Sequence, residues 1–210
     1  MIDCVIFDMD GVLVDAREWH YRALNQALQF FGFEISENDH FTTFDGLPTR
    51  TKLKILTEHS GLPSGLHSII SDLKQEYTLR EAYLHCRPEF SIINTLVTLR
   101  DYGVRLGCAS NSVRESVRTF LMRSEILHFF STVLSNEDVV NPKPNPEIYL
   151  LAMNELQSSP PRTLIVEDND HGRIAAQSSG AHVLMVNSPS DVSADLLMNH
   201  IRSISESNRD

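Results

Sequence analysis

The sequence predicts an α/β fold, a parallel sheet with helices on both faces and a small helical domain inserted after the first strand. Three observations predict it. Four short runs rich in Val, Ile and Leu, at Cys4 to Phe7, Val104 to Ala109, Thr163 to Val166 and Val183 to Val186, have strand length and the apolar character of strands buried on both faces. The segments between them carry helical periodicity. The stretch from Phe7 to Val104 is far longer than the crossover of about a dozen residues that joins parallel strands, so something is inserted there.

In chain order, the first strand is followed by Asp15, which marks a hinge, and then by residues 16–83, which read as a helical cap. Apolar side chains at helical spacing predict helices over Trp19 to Phe31, Thr49 to Glu58 and Leu66 to Tyr83, punctuated by Gly46, Pro48, Gly61, Pro63 and Gly65. Beyond the cap, helices are expected over Ile92 to Leu99, Arg114 to Met122, Pro146 to Leu156, Gly172 to Ser178 and Ala194 to Ile204, with Gly180 ending the fourth. Thr132 to Leu134 is a weaker strand signal. Residues 1–15 and 84–210 therefore form a Rossmann-like core, and the polar tail from Ser205 to Asp210 is expected to fray.

Composition narrows the function. The chain has 18 Lys plus Arg against 28 Asp plus Glu, a formal net charge of −10. Such a surface does not suit nucleic acid or anionic membrane, both of which need clustered cations. No apolar run approaches the roughly 20 residues needed to span a bilayer, and Met1-Ile2-Asp3-Cys4 opens no signal peptide, so a reducing cytoplasm is the expected compartment. Cys4, Cys86 and Cys108 lack disulfide or zinc spacing, and Cys4 and Cys108 read as small core residues on strands. A monomer or weak homodimer is expected.

Ligands of open parallel sheets bind at the carboxyl ends of the strands. There the sequence places Asp8 and Asp10, then Ser110 and Asn111, then Glu167 and Asp168. Lys143, between two prolines, is the sole lysine outside the cap. Four carboxylates gathered at adjacent strand ends repel unless a cation sits among them, and an all-oxygen cluster suits Mg²⁺. One carboxylate of such a group can act as nucleophile, and a second as general acid and base. Ser110 and a backbone N–H near Asn111 could bind phosphoryl oxygens, with Lys143 neutralising their charge. Blander readings stand beside these: Asp8 and Asp10 as turn residues, Ser110 and Asn111 as caps of the next helix, Glu167 and Asp168 as solvated loop acids. Asp170 and His171 are expected to cap the helix that follows them.

The segments Phe7-Asp8-Met9-Asp10-Gly11-Val12, Ala109-Ser110-Asn111-Ser112, Lys143-Pro144-Asn145-Pro146 and Val166-Glu167-Asp168-Asn169 with Gly172 resemble, in order, the four motifs of the haloacid dehalogenase superfamily. The resemblance covers the whole core and is nearest to the branch of β-phosphoglucomutase and related sugar-phosphate phosphatases, which carry a helical cap after the first motif. It implies Asp8 as the nucleophile that becomes phosphorylated and Asp10 as acid and base. It implies Mg²⁺ held by the side chains of Asp8 and Asp168 and the backbone carbonyl of Asp10. Glu167 would orient waters or Lys143, Ser110 would bind the phosphoryl group, and Lys143 would balance its charge.

In the cap, Trp19-His20-Tyr21-Arg22-Ala23 resembles the mutase branch, where a histidine at this place contacts the acid/base aspartate and the substrate. The alternative is a helix histidine with no catalytic role. Gly46-Leu47-Pro48-Thr49-Arg50 resembles the specificity loop, but its arginine lies one place later than in the mutase pattern, and Pro48-Thr49 is closer to the phosphatase version. Arg50, Lys52 and Lys74 are the cap cations best placed to meet a second anionic group, although two of the three are expected simply to be solvated.

These residues together lead us to expect a Mg²⁺-dependent phosphatase acting on a small phosphorylated metabolite, a sugar phosphate above all, with a phosphohexomutase as alternative. Dehalogenation and phosphonate hydrolysis fit poorly, since those branches do without Asp10. A catalytically dead binding module would be expected to have lost Asp8, Asp10 or Asp168, and all three are present.

Overall fold

The structure is a computed structural model and describes residues 1–207. Five parallel strands form its sheet: β1 (Cys4–Phe7), β2 (Arg105–Ala109), β3 (Thr132–Leu134), β4 (Thr163–Glu167) and β5 (His182–Met185), in the order β3-β2-β1-β4-β5. β1 is central, with Cys4 opposite both Arg105 and Thr163 and Phe7 opposite both Cys108 and Val166. The chain moves outward from β1 through β2 to β3, then crosses to β4 on the other side. The crevice where the order reverses therefore opens beside the end of β1, and Asp8 is the first residue beyond that end.

Strand alternation sorts the core into two layers. Val5 and Phe7 face one side, where they join α5 (Phe90–Asp101), α6 (Arg114–Arg123) and α9 (Ala194–Ser207) through Leu96, Phe120 and Ile201. Cys4 and Ile6 face the other, against α7 (Glu147–Glu155) and α8 (Asp170–Ser178) through Tyr149, Ala152 and Ala175. The helices on both faces are those the periodicity predicts, with ends shifted by at most two residues except at the end of α9, close to the usual uncertainty of helix termini.

The edge strand differs more. The apolar run at Val183 to Val186 reads as a buried strand, but β5 spans His182–Met185 and is only half-buried, because an edge strand has a neighbour on one side alone. The tail differs too: α9 continues through Ser207, anchored by buried Ile201 and Ile204, and residues 208–210 lie outside those described. All three cysteines are buried and free. Among the described residues no helix is long and apolar enough to cross a membrane.

Between β1 and α5 lie α1 (Arg17–Gln29), the short α2 (Glu37–Asp39), α3 (Thr49–Ser60) and α4 (His67–His85). They share an apolar cluster of their own, including Leu24, Leu28, Leu53, Leu56 and Ile70. The ends nearest the sheet belong instead to the main core, where Ala82 and Cys86 are buried and Trp19 packs against them. α4 thus runs two residues past the expected end at Tyr83.

Candidate active site

The loop after β1 is built by a ladder that stops and a glycine that turns. Asp8 N–H still donates to Val166 O at 2.9 Å, continuing the β1–β4 pairing, and Gly11 then adopts φ +86°. A Cβ on Gly11 would fall 2.0 Å from Asp168 Oδ2, so glycine serves both the left-handed turn and the approach of the two loops.

Asp8 and Lys143 are buried, and Glu167 is fully so. Lys143 Nζ donates to Asp8 Oδ1 at 2.6 Å and to Glu167 Oε1 at 2.7 Å, while the Tyr149 hydroxyl also donates to Glu167 Oε1. Burial alone would lower the Lys143 ammonium, but the carboxylates of Asp8 and Glu167 outweigh it and hold the charge firmly in place. Asp8 is pushed well above the ordinary carboxylate range by burial, opposed by Lys143 and reinforced by Glu167, Asp168 and Asp10.

Asp168 completes an oxygen cluster with Asp8 and Glu167, one ligand atom from each lying within 4.8 Å of the others. Burial and Glu167 raise Asp168 to about 7. Its Oδ1 accepts from Asn169 Nδ2 at 2.8 Å, whereas Oδ2 is buried without a hydrogen-bond partner and its nearest cation, Arg17, stands 3.8 Å away. An orphaned buried carboxylate oxygen beside further carboxylates fits a hard divalent cation. Glu167 has little left to give an ion, since Oε1 is taken by Lys143 and Tyr149 and Oε2 accepts from Asp168 N–H.

The Asp10 side chain points elsewhere. Its Oδ2 accepts from Ser112 Oγ at 2.7 Å and its Oδ1 lies 3.1 Å from His20 Nε2, a close contact without hydrogen-bond alignment. Burial would raise Asp10, but His20, Ser112 and Lys74 overcome it and hold the carboxyl below its ordinary value. Burial and Lys74 push His20 down.

Ser110 is buried, and its Oγ accepts from Ser112 N–H at 3.0 Å. The Asn111 amide is a strap: Nδ2 donates to Gly46 O at 2.8 Å and Lys143 O at 3.1 Å, and Oδ1 accepts from Lys143 N–H at 3.0 Å. Neither residue caps α6. Its N-cap is Val113, and Glu137 takes the Arg114 N–H at 2.6 Å. Likewise Asn169, not Asp170 or His171, caps α8, accepting from Gly172 N–H at 2.9 Å.

Over these strand ends the cap encloses a cavity of about 590 Å³ that reaches from Asp8, Asp10 and Lys143 to Arg50, Lys52 and Lys74. Arg50 is exposed, but the expectation that a second of these cations is solvated fails: Lys52 is only 6 % exposed and Lys74 is half-buried, with Nζ 3.1 Å from His20 Nδ1. Two functional candidates carry no distinct signal in the sequence: Ser112 is one of several serines around the second motif, and Tyr149 lies on a helix face where a large ring reads as core.

A carboxylate site at the switch point of a parallel sheet, under a helical cap, defines an α/β enzyme with acidic chemistry. The chain belongs to the haloacid dehalogenase-like hydrolase family, whose profile matches residues 5–186. The phosphorylated carbohydrates phosphatase of Thermotoga maritima is 27 % identical to it over 85 % of this chain and 82 % of that one. The protein CbbY of Cereibacter sphaeroides is 28 % identical over 88 % and 84 %. Among solved structures, a β-phosphoglucomutase from Clostridium difficile superposes with a TM-score of 0.85 at 20 % identity, covering 97 % of this chain and 98 % of that one.

Proposed function

We propose that this protein is a Mg²⁺-dependent phosphatase of a small phosphorylated metabolite, a sugar phosphate above all, acting through a phosphorylated Asp8. The observation that carries this reading is the pair of aspartates: Asp8 pinned at Oδ1 by Lys143, and Asp10 two residues on, turned by Ser112 and His20 to the cavity. The carbohydrate-phosphate phosphatase among its relatives supports the sugar. The cap of residues 16–83 would act as a lid on the core of residues 1–15 and 84–210, and a reducing cytoplasm is the compartment we assign.

With Oδ1 held, Asp8 Oδ2 attacks phosphorus in line while the ester oxygen departs. Asp10 gives its proton to that oxygen. Without ligand Asp10 is held as a base, and the charge of a bound phosphoryl group raises it towards the acid form. Having given up that proton, Asp10 takes one from a water that attacks the aspartyl phosphate, freeing inorganic phosphate. Ser110 would bind a phosphoryl oxygen, and Lys143 would balance charge throughout. Mg²⁺ would be held by Asp8, Asp168 and the Asp10 backbone carbonyl, where its charge would offset the carboxylates and polarise the phosphoryl group.

The contact of His20 with Asp10 favours a second reading, a phosphohexomutase, in which a closed cap excludes water and the phosphoryl group returns to the sugar. A panel of phosphate esters with Mg²⁺ or chelator, including β-glucose 1-phosphate, tests both when assayed for free phosphate and for glucose 6-phosphate. Metal-dependent phosphate release from sugar phosphates supports the phosphatase. Isomerised product with little free phosphate supports the mutase, and no metal-dependent turnover of any ester overturns both.

A further inference from the structure

Helix electrostatics set Arg17 apart. It is the first residue of α1, where the unpaired N–H groups of a helix already carry positive charge and a cation is unfavourable. No side chain caps this end at Ala16, and Glu18, the acid of the first turn, faces Arg22 at 3.8 Å. The local sequence thus gives no reason for a positive charge here, whereas the tertiary contacts do.

The guanidinium crosses from the cap to the core. Nη2 donates to Asn187 O at 3.0 Å, in the turn after β5. Asp191 fastens that turn by accepting from the Asn187 N–H at 2.9 Å and from its side-chain amide at 3.1 Å. Nη1 stands 3.8 Å from Asp168 Oδ2, the buried oxygen without a hydrogen bond. Among the described residues no other cation lies within 4.0 Å of Asp168, and Lys143 is taken up by Asp8 and Glu167. Gly11 completes the junction: a Cβ there would fall 2.0 Å from Asp168 Oδ2 and 3.5 Å from Arg17 Cδ.

The Asp168 side chain is 1 % exposed and that of Arg17 31 %, so the carboxylate is fixed and the guanidinium is the partner free to move. At 3.8 Å the attraction is Coulombic and lacks the geometry of a hydrogen bond, which leaves it open to displacement. A divalent cation held by Asp168 would draw on the same carboxylate and repel the guanidinium. Such coupling is reciprocal: by whatever factor Arg17 weakens the metal, the metal weakens the hold of Arg17 on the core. Arg17 follows Asp15 and Ala16 directly, so that hold is the root of the cap.

We propose that Arg17 is a positioning residue that links the metal site to the cap hinge: it weakens Mg²⁺ binding at Asp168, and Mg²⁺ in turn loosens the root of α1. This rests on the Mg²⁺ reading and adds the residue that sets how tightly the ion is held and how freely the cap moves.

The test is isothermal titration calorimetry of the full chain with MgCl2 at constant ionic strength and without any ester. Hydrogen exchange of residues 14–20, with and without the metal, accompanies it. Arg17→Gln should bind Mg²⁺ about threefold to tenfold more tightly than wild type, the effect of removing one partly exposed charge beside a divalent ion. Arg17→Lys, which keeps the charge, should lie nearer to wild type. Saturating Mg²⁺ should speed exchange at the hinge of the wild type, while in Arg17→Gln exchange should start faster and no longer respond. Unchanged or weaker Mg²⁺ binding by Arg17→Gln overturns the proposal, since a merely structural arginine would not tighten the metal when lost. An equal shift in Arg17→Lys overturns it too, because charge would then not be the cause, and so does wild-type hinge exchange that ignores Mg²⁺. A wild type that binds no Mg²⁺ at all instead sinks the metal reading, and this link with it.

Discussion

His20 Nε2 lies 3.1 Å from Asp10 Oδ1, joining the first helix of the cap to the loop that carries Asp8 and Asp10. On the other oxygen Ser112 donates at 2.7 Å, so Asp10 is gripped from cap and core together. Losing either grip leaves Asp10, the proposed proton donor, misaimed while the fold stands. His20→Gln and Ser112→Ala should each lower kcat by roughly 10- to 100-fold, less than the roughly 100- to 10,000-fold of positioned acid–base catalysis itself because Asp10 keeps its other grip. Steady-state kinetics beside a thermal melt checks this, and unchanged kcat in both variants would remove Asp10 from its assigned role.

Lys143 holds two buried carboxylates, and its removal leaves both uncompensated. Lys143→Met should cost about 3–5 kcal/mol of stability, the range for breaking a buried ion pair from one side. Urea unfolding measures it. Lys143→Met with Glu167→Gln should recover part of the loss, because one stranded charge goes with it.

Gly172 sits inside α8, where helix propensity alone makes Gly→Ala stabilising by roughly 1 kcal/mol. Here a Cβ would fall 1.9 Å from the Glu167 carboxylate, which is clamped by Lys143 and Tyr149 and cannot swing aside. The steric cost wins, and Gly172→Ala should destabilise the protein and reduce activity together. Thermal melting gives the sign directly.

The two cap lysines predict a dependence of stability on pH. Burial, against Asp45 and Asp10, takes Lys52 from 10.5 down to about 8; His20, His40 and Lys74 are its titratable neighbours. Between pH 8 and 10.5 the unfolded chain holds more protons than the folded one, so this contribution favours folding increasingly as pH rises, and its full cost is present below pH 8. Lys52→Met should therefore be more stable than wild type by roughly 3 kcal/mol near pH 7 at most, an advantage that shrinks as pH climbs to 10. Denaturation at several pH values measures the difference, and an advantage independent of pH would contradict it.

The core was largely legible in the sequence because its signals are local. Buried strands such as Cys4–Phe7 write themselves as unbroken apolar runs, and the polar residues after them mark the site. β5 was misplaced by one residue because an edge strand does not need apolar residues on both faces. The capping residue Asn169 was overlooked beside Asp170, since Asn and Asp are nearly equal N-cap formers and only backbone geometry tells which one turns. Tyr149 was invisible as a site residue because a tyrosine on an apolar helix face looks like core until its hydroxyl is seen against Glu167. Which of Arg50, Lys52 and Lys74 are solvated is not legible in the sequence, because burial in the cap depends on how α3 and α4 close over the sheet, which no local pattern records.

The central claim, that Asp8 carries the phosphoryl group, is tested most directly by acid-quenching the protein during turnover of a phosphate ester with Mg²⁺ and mapping the phosphorylated peptide by mass spectrometry. A hydroxylamine-sensitive phosphate on Asp8, absent from Asp8→Asn along with phosphate release, is the result expected. Phosphate on another residue, or undiminished turnover by Asp8→Asn, would contradict it.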